Sequence, residues 1–585
     1  MVSRRGELFT KVLLFFSILR SIQGRDITKL GYPYLHKASS FSSTLSKGYD
    51  YIIVGGGTAG CPLAATLSQN YSVLLLERGG SPYGNLNISY MQNFHISLAD
   101  NSPNSPSQPF ISTDGVINAR ARVLGGGTCI NAGFYSRASS RFIEEAGWDS
   151  GLVNESYPWI EKRVVHWPDV APWQAALRDG LLEAGETPFN GYTYDHLHGT
   201  KIGGITFDKD GFRYTAADLL SAGDANNLMV LLHATVHKIL FNTKAGQQPK
   251  AVGVLFKDNN GRKHRARLRD ARHGEVILSS GSIGSPHLLL LSGIGPKKDL
   301  KKLGIPVVLH NQHVGKGLCD NPMNSFFLPT KKPVVQSLIQ TVGITKKAGV
   351  FIEASSGFSQ SSDSIIQCHH GIMSAEIGQL STQPPKQRSL EDVEKYIKNK
   401  EKLPREVFQG GFILTKVDRP LSKGHLSLVS ADVEINPAVT FNYFSHPHDL
   451  RRCVHGIRSI AEIVRTKSFR NLTVDDSYTL EMLLNISVPA NINLIPKHAN
   501  DGTSVEQFCK DTVTTIWHYH GGCHVGKVVD DDGGYRVLGV SGLRVVDGST
   551  FDSSPGTNPQ ATVMMMGRYM GVKILRERLG RAAGV

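Results

Sequence analysis

Three histidines stand close together near the carboxy terminus, in the stretch Ile516-Trp517-His518-Tyr519-His520-Gly521-Gly522-Cys523-His524. An imidazole has an unperturbed pKa close to neutral pH, so it can accept a proton as a base and release it afterwards. Three histidines at the edge of a sheet could equally be structural. The stretch is therefore a candidate centre for proton transfer, in which His518, His520 and His524 compete for the role of base.

A second polar group, Asn558-Pro559-Gln560, follows the predicted strand Leu543–Val546 and the turn Asp547-Gly548. Pro559 is typical of the first turn of a helix, and helix-forming residues continue from Ala561 to Arg578. The start of a helix directs unpaired N–H groups and a positive dipole end at whatever lies in front of it. This helix start is therefore expected to favour a ligand that becomes negatively charged.

The amino-terminal part of the chain carries elements that would position a nucleotide near such a site. Tyr49–Val54 is a short, apolar, β-branched run, as a buried parallel strand requires, and Pro62–Leu67 is helix-forming. Between them, Gly55, Gly57 and Gly60 fit the pattern G-x-G-x-x-G. The first glycine permits the tight turn, the second lets backbone N–H groups approach a pyrophosphate, and the third lets the helix pack closely on the strand.

A second predicted strand, Ser72–Leu76, completes this crossover. It ends at Glu77, where a carboxylate can accept hydrogen bonds from a ribose. A glycine pattern alone is weak evidence, but strands on both sides and the acidic residue strengthen it. The segment therefore predicts a dinucleotide-binding crossover.

Two further glycine-rich stretches, Ala121–Gly133 and Gly281–Gly295, resemble the signatures of the glucose–methanol–choline (GMC) flavin oxidoreductases. With the crossover and the carboxy-terminal motifs, the resemblance covers Gly48 to Leu579, and the motifs are similar to those of the plant branch that contains HOTHEAD-like proteins and mandelonitrile lyases. It implies an α/β fold with a discontinuous Rossmann-type FAD-binding domain and an α+β substrate-binding domain. FAD is the implied cofactor.

The resemblance also implies how the chain is divided. We expect a signal peptide at 1–24, a linker at 25–47, FAD-binding segments at 48–165, 226–322 and 510–585, and substrate-domain segments at 166–225 and 323–509. The long substrate segment is irregular in pattern. It is where members of the family differ most.

Roles for individual residues follow from the same resemblance. His518, three residues before Gly521, would take the hydroxyl proton of an alcohol while the carbon-bound hydrogen leaves as a hydride to the flavin. Asn558 would donate or accept a hydrogen bond at the substrate oxygen. The backbone of Val236 would lie against the adenine, although a plain sheet residue explains it equally well. The residues expected to bind the cofactor are Gly55, Gly57, Thr58, Ala59, Gly60, Glu77, Arg78, Val123, Gly126, Thr128, Asn131, Gly133, Val236, Trp517, Asp547, Gly548, Pro559 and Gln560.

The expected function is FAD-dependent oxidation of an alcohol to the aldehyde, with a long-chain ω-hydroxy fatty acid as the substrate that the resemblance suggests. A hydroxynitrile lyase that uses FAD without redox change is one alternative. The mandelonitrile lyases typically have histidine at the position of Asn558 and tyrosine at that of Ile516, so both differences remove acid–base groups that a lyase needs. A secreted flavoprotein without turnover is the other alternative.

The amino terminus resembles a secretory signal peptide, because Arg4, Arg5 and Lys11 precede the apolar run Val12–Leu19, which is too short to span a bilayer. An ordinary buried helix is the alternative. Cleavage near Gly24 would yield a secreted protein without a membrane span. The candidate glycosylation sites are then Asn70, Asn87, Asn154, Asn471 and Asn485.

Seven cysteines are too few for a disulfide scaffold and, being an odd number, leave at least one unpaired; the family resemblance implies a bridge between Cys453 and Cys509. The net charge of +14 comes without a nucleic-acid recognition motif and would favour retention on an acidic polysaccharide wall. The run Cys368-His369-His370 has no second ligand cluster at zinc spacing, so no metal site is expected.

Overall fold

The structure is a computed structural model, and it describes residues 32–41, 48–100, 102–270, 272–357, 389, 391, 410–473, 504–556 and 558–580. The expected signal peptide, the sequon at Asn485 and the run Cys368-His369-His370 lie outside the described residues. No helix within the described ranges is long and apolar enough to cross a membrane.

A six-stranded parallel sheet forms the centre of the domain that the sequence analysis expects to bind FAD. Its strands, in spatial order, are Leu35–Lys37, Leu228–Leu232, Val73–Glu77, Tyr51–Val54, Glu275–Leu278 and Leu543–Val545. The inner strands are buried along almost their whole length because they contact the helix Gly60–Leu67 and the strands Thr235–Asn242 and Lys250–Lys257, and their apolar runs therefore predicted them correctly.

The edge strand Leu35–Lys37 is a correction to the sequence analysis, which assigned residues 25–47 to a linker. The segment pairs in parallel with Val230–Leu232. Two of its three residues are exposed, so it shows no apolar pattern. The position of Leu35–Lys37 is therefore set by its pairing with the edge of the strand Leu228–Leu232 and not by an apolar pattern of its own.

A seven-stranded sheet, antiparallel except for its last pair, forms the second half of the molecule. Its strands, in spatial order, are Thr514–Thr515, Pro322–Pro329, Gly410–Val417, Val350–Ser356, Thr341–Ile344, Gly199–Ile202 and Phe189–Tyr192. One face packs on the helix Pro447–Val464, and the buried side chains between them form a second hydrophobic core. The other face contributes to the site described below.

Smaller sheets and the helices complete the described fold. Two three-stranded antiparallel sheets consist of Thr235–Asn242, Lys250–Lys257 and Lys263–Arg267, and of Lys316–Leu318, Gly424–Ser427 and Ala438–Thr440. Two-stranded pairs are Ser107–Ile111 with Ile117–Ala121, Phe134–Tyr135 with Gly204–Ile205, and Ile294–Gly295 with Leu309–His310. The α-helices are Gly60–Leu67, Leu86–Ser89, Phe94–Ala99, Ser140–Glu145, Ser150–Val164, Pro172–Glu183, Gly281–Leu291, Lys297–Lys302, Pro447–Val464, Lys467–Arg470, Val505–Asp511 and Gln560–Leu579. The 3₁₀ helices are Ala38–Ser40, Met91–Asn93, Gly126–Cys129, Ala216–Ala222 and Gly548–Thr550.

Two segments pack in a different domain from the one to which the sequence analysis assigned them. The 3₁₀ helix Ala216–Ala222, expected in the substrate domain, contributes Ala216 and Leu219 to the core around the parallel sheet. The strand Thr514–Thr515, expected in the third FAD-binding segment, pairs with Pro322–Met323 of the seven-stranded sheet. Both segments are so short that their sequences carry no pattern from which the core they join could be predicted.

The disulfide between Cys453 and Cys509 is present, as the family resemblance implied. It joins the helix Pro447–Val464 to the helix Val505–Asp511, so it fastens the outer layer of the second core. The remaining described cysteines, Cys61, Cys129, Cys319 and Cys523, are buried thiols. They serve as small apolar side chains.

Candidate active site

The glycine turn after the strand Tyr51–Val54 is held in place by Glu77. One carboxylate oxygen accepts a hydrogen bond from the backbone N–H of Gly56 at 2.9 Å, and the other accepts one from Gly79 at 2.7 Å. Burial raises the pKa of Glu77, and these backbone bonds oppose that rise. Glu77 therefore shapes the turn in addition to the role in ribose binding that the sequence predicts.

A cavity of about 370 Å³ opens in front of this turn and runs between the two halves of the molecule. Sixteen of the eighteen predicted cofactor residues line it, together with His518 and Asn558. They are Gly55, Gly57, Thr58, Ala59, Glu77, Arg78, Val123, Gly126, Asn131, Gly133, Val236, Trp517, Asp547, Gly548, Pro559 and Gln560. The cavity thus brings together residues from distant parts of the chain.

Gly60 and Thr128 are the two predicted cofactor residues that are absent from the cavity wall as the described residues define it. A Cβ on Gly60 would overlap the carbonyl oxygen of Gly55, so this glycine allows the close packing of helix on strand that the sequence predicts. The prediction for Thr128 needs correction. Its hydroxyl donates to Gly125 at 2.6 Å and accepts from the N–H of Ala216 at 2.9 Å, so it closes a turn behind the wall.

The space beside Gly57 fits a bound cofactor. A Cβ on Gly57 would meet only the carbonyl oxygen of Ser279 at 3.8 Å and the Cα of Gly126 at 3.9 Å, so packing within the protein does not require glycine there. Trp517, also on the wall, adopts a left-handed φ of 58° and buries an indole N–H that has no partner among the described residues. Open space in front of backbone and an unused donor are the features of a ligand site that FAD would fill.

Side chains at the start of the helix Gln560–Leu579 form an ordered network on the wall. The amide of Gln560 donates to the carbonyl of Phe134 at 2.6 Å and accepts from Asn131 at 2.9 Å. The oxygen of Asn131 accepts from the N–H of Gly133 and from Arg213. The helix start is therefore fixed against the segment that the family resemblance places along the flavin, and its free N–H groups are directed at the cavity.

His518 lies on the cavity wall and is almost completely buried. Its backbone N–H donates to Asp320 at 2.8 Å, whereas its ring atom Nδ1 has no partner among the described residues. Burial, the charge of Lys416 and the neighbouring His520 lower the pKa of His518 well below its usual value. The imidazole is therefore neutral near pH 7 and able to accept a proton.

The other two histidines of the motif are used elsewhere, and neither is among the described residues that line the cavity. Nδ1 of His520 lies 2.9 Å from the carbonyl oxygen of His518, and the backbone of His520 pairs with Cys319. The ring of His524 contacts the carboxylate of Asp552, and its Nε2 lies 3.1 Å from the carbonyl oxygen of Gly317. The geometry thus favours His518 over its two competitors as the group that meets a substrate.

Two charged residues that sequence reasoning missed lie behind Asn558. Nζ of Lys416 donates to Oδ1 of Asn558 at 2.8 Å and to Oε1 of Glu353 at 2.6 Å. The side chains of Lys416 and Glu353 are about 1% exposed. A signal was available, because each residue interrupts an otherwise apolar strand with a single charge, and the two charges have opposite signs.

The wall facing the predicted flavin side is largely apolar and comes from one face of the seven-stranded sheet. Alternate residues point to the cavity, as the two-residue period of a strand requires. They are Met323, Ser325, Ser355, Phe412, Leu414 and Thr514. Leu338, Ile339, Ile516 and Phe94 extend this surface.

Comparison with known proteins gives a consistent result. The family model described as GMC oxidoreductase matches residues 49–323 and 420–567. Protein HOTHEAD of Arabidopsis thaliana is 60% identical over 95% of this chain and 94% of the relative. The "(R)-mandelonitrile lyase-like" protein of the same plant is 47% identical over 93% of each chain. Sinalpyl alcohol oxidase Nec3 of Nesocodon mauritianus is 43% identical over 93% of this chain and 92% of the relative.

Among solved structures, that of a formate oxidase superposes with a TM-score of 0.70 at 19% identity. The match covers 91% of this chain and 98% of the other. At this identity the likeness concerns the fold alone. It agrees with the mixed α/β architecture described above.

Proposed function

Because this chain belongs to the GMC oxidoreductase family, we propose that it oxidises a primary alcohol to the aldehyde with FAD as its cofactor. When bound, FAD supplies the acceptor for the hydride that leaves the carbinol carbon. The hydroxyl proton leaves separately, so that the carbon–oxygen single bond becomes a carbonyl. The protein must therefore bind the alcohol, accept one proton and exclude water.

One observation carries the proposal: His518, a buried histidine that is neutral near pH 7, lies on the cavity wall together with Asn558. We assign to His518 the acceptance of the hydroxyl proton. Asn558 supplies a second polar contact to the same oxygen. Burial of His518 keeps bulk water from competing for the hydrogen bonds that orient the alcohol.

The apolar sheet face indicates the class of alcohol. Phe412, Leu414 and Met323 offer hydrocarbon surface to the part of the substrate beyond the hydroxyl group. Each methylene that they bury is worth about 0.8 kcal/mol, or roughly a fourfold gain in affinity. We therefore propose a primary alcohol with an extended apolar chain, such as a long-chain ω-hydroxy fatty acid.

A hydroxynitrile lyase is the second candidate, because the mandelonitrile lyase-like relative is 47% identical to this chain. A lyase must move a proton between the cyanohydrin oxygen and cyanide. Ile516 lines the cavity and cannot take part in acid–base chemistry, and the amide of Asn558 does not titrate. The site thus has the single base that oxidation requires and lacks the further groups that the lyase would need at these two positions.

Anaerobic mixing of the FAD-loaded protein with primary alcohols of increasing chain length tests the proposal. We expect the yellow colour to bleach, with an apparent affinity that rises as methylenes are added. Mandelonitrile serves as the comparison. Cyanide release with the flavin still oxidised would support the lyase, and no response to either compound would support a flavoprotein without turnover.

We also propose that the protein is secreted and retained by an acidic cell wall. The apolar run Val12–Leu19 behind basic residues supports a signal peptide. The sequons at Asn70, Asn154 and Asn471 are exposed and so accessible for glycosylation. Five cationic side chains share one face of the three-stranded sheet formed by Thr235–Asn242, Lys250–Lys257 and Lys263–Arg267, and three of the five are exposed. The five are Lys238, Lys257, Lys263, Arg265 and Arg267.

This cationic face would hold the protein on a polyanion through attraction that salt screens. Replacing Lys263, Arg265 and Arg267 by glutamine should lower the salt concentration needed to elute the protein from a polygalacturonate gel. Replacing three exposed lysines elsewhere, Lys297, Lys301 and Lys302, is the matched control. An equal shift with the control set would mean that only net charge matters.

A further inference from the structure

The buried pair formed by Lys416 and Glu353 lies next to the cavity but is not exposed to it. Strand register places Lys416 opposite Phe351, and Glu353 is two residues further along on the same face. Met323, opposite Lys416 on the other side, belongs to the same face and lines the cavity. Lys416 and Glu353 therefore lie on the cavity-facing side of the sheet, but they are buried behind Asn558.

The hydrogen bond from Lys416 to Asn558 determines how the amide is turned. An ammonium group has three donors and no acceptor, so the amide atom 2.8 Å from Nζ must be the oxygen. The opposite orientation would set an N–H group against an N–H group. Because the oxygen is engaged on the buried side, the NH₂ group of Asn558 is left for the cavity.

Glu353 keeps Lys416 in its charged form. A lysine buried alone would lose its proton, because burial lowers the pKa of an ammonium group. The carboxylate at 2.6 Å opposes this effect, and the ring of Phe351 lies 5.3 Å from Nζ as a second favourable contact. Nζ of Lys416 therefore donates to Asn558 from a position that Glu353 holds.

We propose that Lys416, held by Glu353, is a positioning residue that turns Asn558 so that its N–H group donates to the oxygen of the bound alcohol. The proposal rests on the function proposed above. An amide that presents only its N–H cannot accept the hydroxyl proton, so that proton passes to His518 alone. The same N–H stabilises the oxygen as negative charge develops on it after proton transfer.

A binding assay that needs no turnover tests the inference. Hexanamide carries a carbonyl oxygen that only accepts hydrogen bonds, and hexane has the same number of carbon atoms without the amide group. Both would be titrated into the FAD-loaded protein and followed by the change in the flavin spectrum. We expect parental protein to bind hexanamide more tightly than hexane, because Asn558 donates to the carbonyl.

The informative comparison is between Glu353→Gln and the double variant Glu353→Gln with Lys416→Met, because the double variant leaves no unpaired buried charge. Loss of one directed hydrogen bond should weaken hexanamide binding about tenfold in the double variant, while hexane binding stays unchanged. Lys416→Gln keeps a donor and should retain most of the affinity. If the double variant fails to fold, Glu353→Leu with Lys416→Met replaces it, because this pair also leaves no buried charge, and it should show the same tenfold loss.

Lys201→Met is the matched control. Lys201 is a second buried lysine of the same sheet, and its Nζ donates to Ser136 at 2.6 Å and to the carbonyl of Asp195 at 2.7 Å. Its replacement should leave the preference for hexanamide intact. Unchanged hexanamide affinity in the double variant Glu353→Gln with Lys416→Met, or no preference for hexanamide in the parental protein, would overturn the inference. Failure of the proposed function is a separate result, because it appears as flavin that alcohols do not bleach.

Discussion

The Nδ1 atom of His520 lies 2.9 Å from the carbonyl oxygen of His518, so the second histidine of the motif turns back on the backbone of the first. Of the three histidines in the motif, all of them described, His518 alone lies on the cavity wall. Two residues of register separate the proposed base, His518, from His520, whose side chain contacts the loop backbone. The predictions below start from this difference and from the contacts around it.

Gly57→Val should give a folded but colourless protein. A Cβ at position 57 would meet no protein atom closer than 3.8 Å, whereas a bound pyrophosphate would meet the added side chain. Flavin absorbance per mole of protein and the circular dichroism spectrum measure the two effects separately.

Gly60→Val provides the contrast for that experiment, because its Cβ would overlap the carbonyl of Gly55. This variant should fail to fold, and its loss of colour should accompany loss of soluble protein. Stoichiometric FAD in Gly57→Val would mean that the turn does not face the pyrophosphate.

The rate of flavin reduction should stay high below the pH at which an ordinary histidine becomes protonated. His518 must be neutral to accept a proton, and burial, Lys416 and His520 lower its pKa well below 6.5. A lowered pKa moves the loss of activity to lower pH. The reduction rate divided by the substrate dissociation constant, measured against pH, should show its acid limb below the pH at which an ordinary histidine titrates.

The ionisation of Asp320 must be distinguished from that of His518 in this pH profile. Burial raises the pKa of Asp320 to about 6, and this carboxylate accepts from the N–H of His518. Lys416→Gln removes a charge that lowers the pKa of His518, so it should move the acid limb to higher pH. An acid limb that stays fixed in Lys416→Gln would assign the titration to another group.

Replacing Cys453 and Cys509 by alanine should lower the melting temperature. The bridge closes a loop of 56 residues, and such a loop is worth up to about 4 kcal/mol through the entropy of the unfolded chain. Calorimetry of the FAD-loaded protein measures the loss, and Cys523→Ala serves as a control for a buried thiol. A double variant as stable as Cys523→Ala would contradict this account of the bridge.

The parallel sheet and the glycine turns could be predicted from sequence because their signals are local. Buried strands such as Val73–Glu77 are continuous apolar runs, and the turn residues follow them directly. The edge strand Leu35–Lys37 and the wall residue Phe94 escaped prediction. The first is three residues long, and the second belongs to a helix of six residues in a segment without an apolar period.

The pair formed by Lys416 and Glu353 shows a different limit. Each charge in an apolar strand is compatible with solvent exposure or with a buried partner, and only the register between the two strands decides which applies. That register depends on packing across the whole sheet. The assignment of His518 came from family resemblance, and the cavity now supplies an independent geometric argument for it.

The most direct test of the account is the rate at which an alcohol reduces the flavin in His518→Ala, compared with parental protein and His520→Asn under anaerobic rapid mixing. We expect His518→Ala to be slower by roughly a hundredfold or more, the usual contribution of a general base, and His520→Asn to stay within about tenfold of the parental rate. Raising the pH should partly restore His518→Ala by ionising the alcohol. A parental rate in His518→Ala, with a large loss in His520→Asn, would contradict the assignment of His518 as the base.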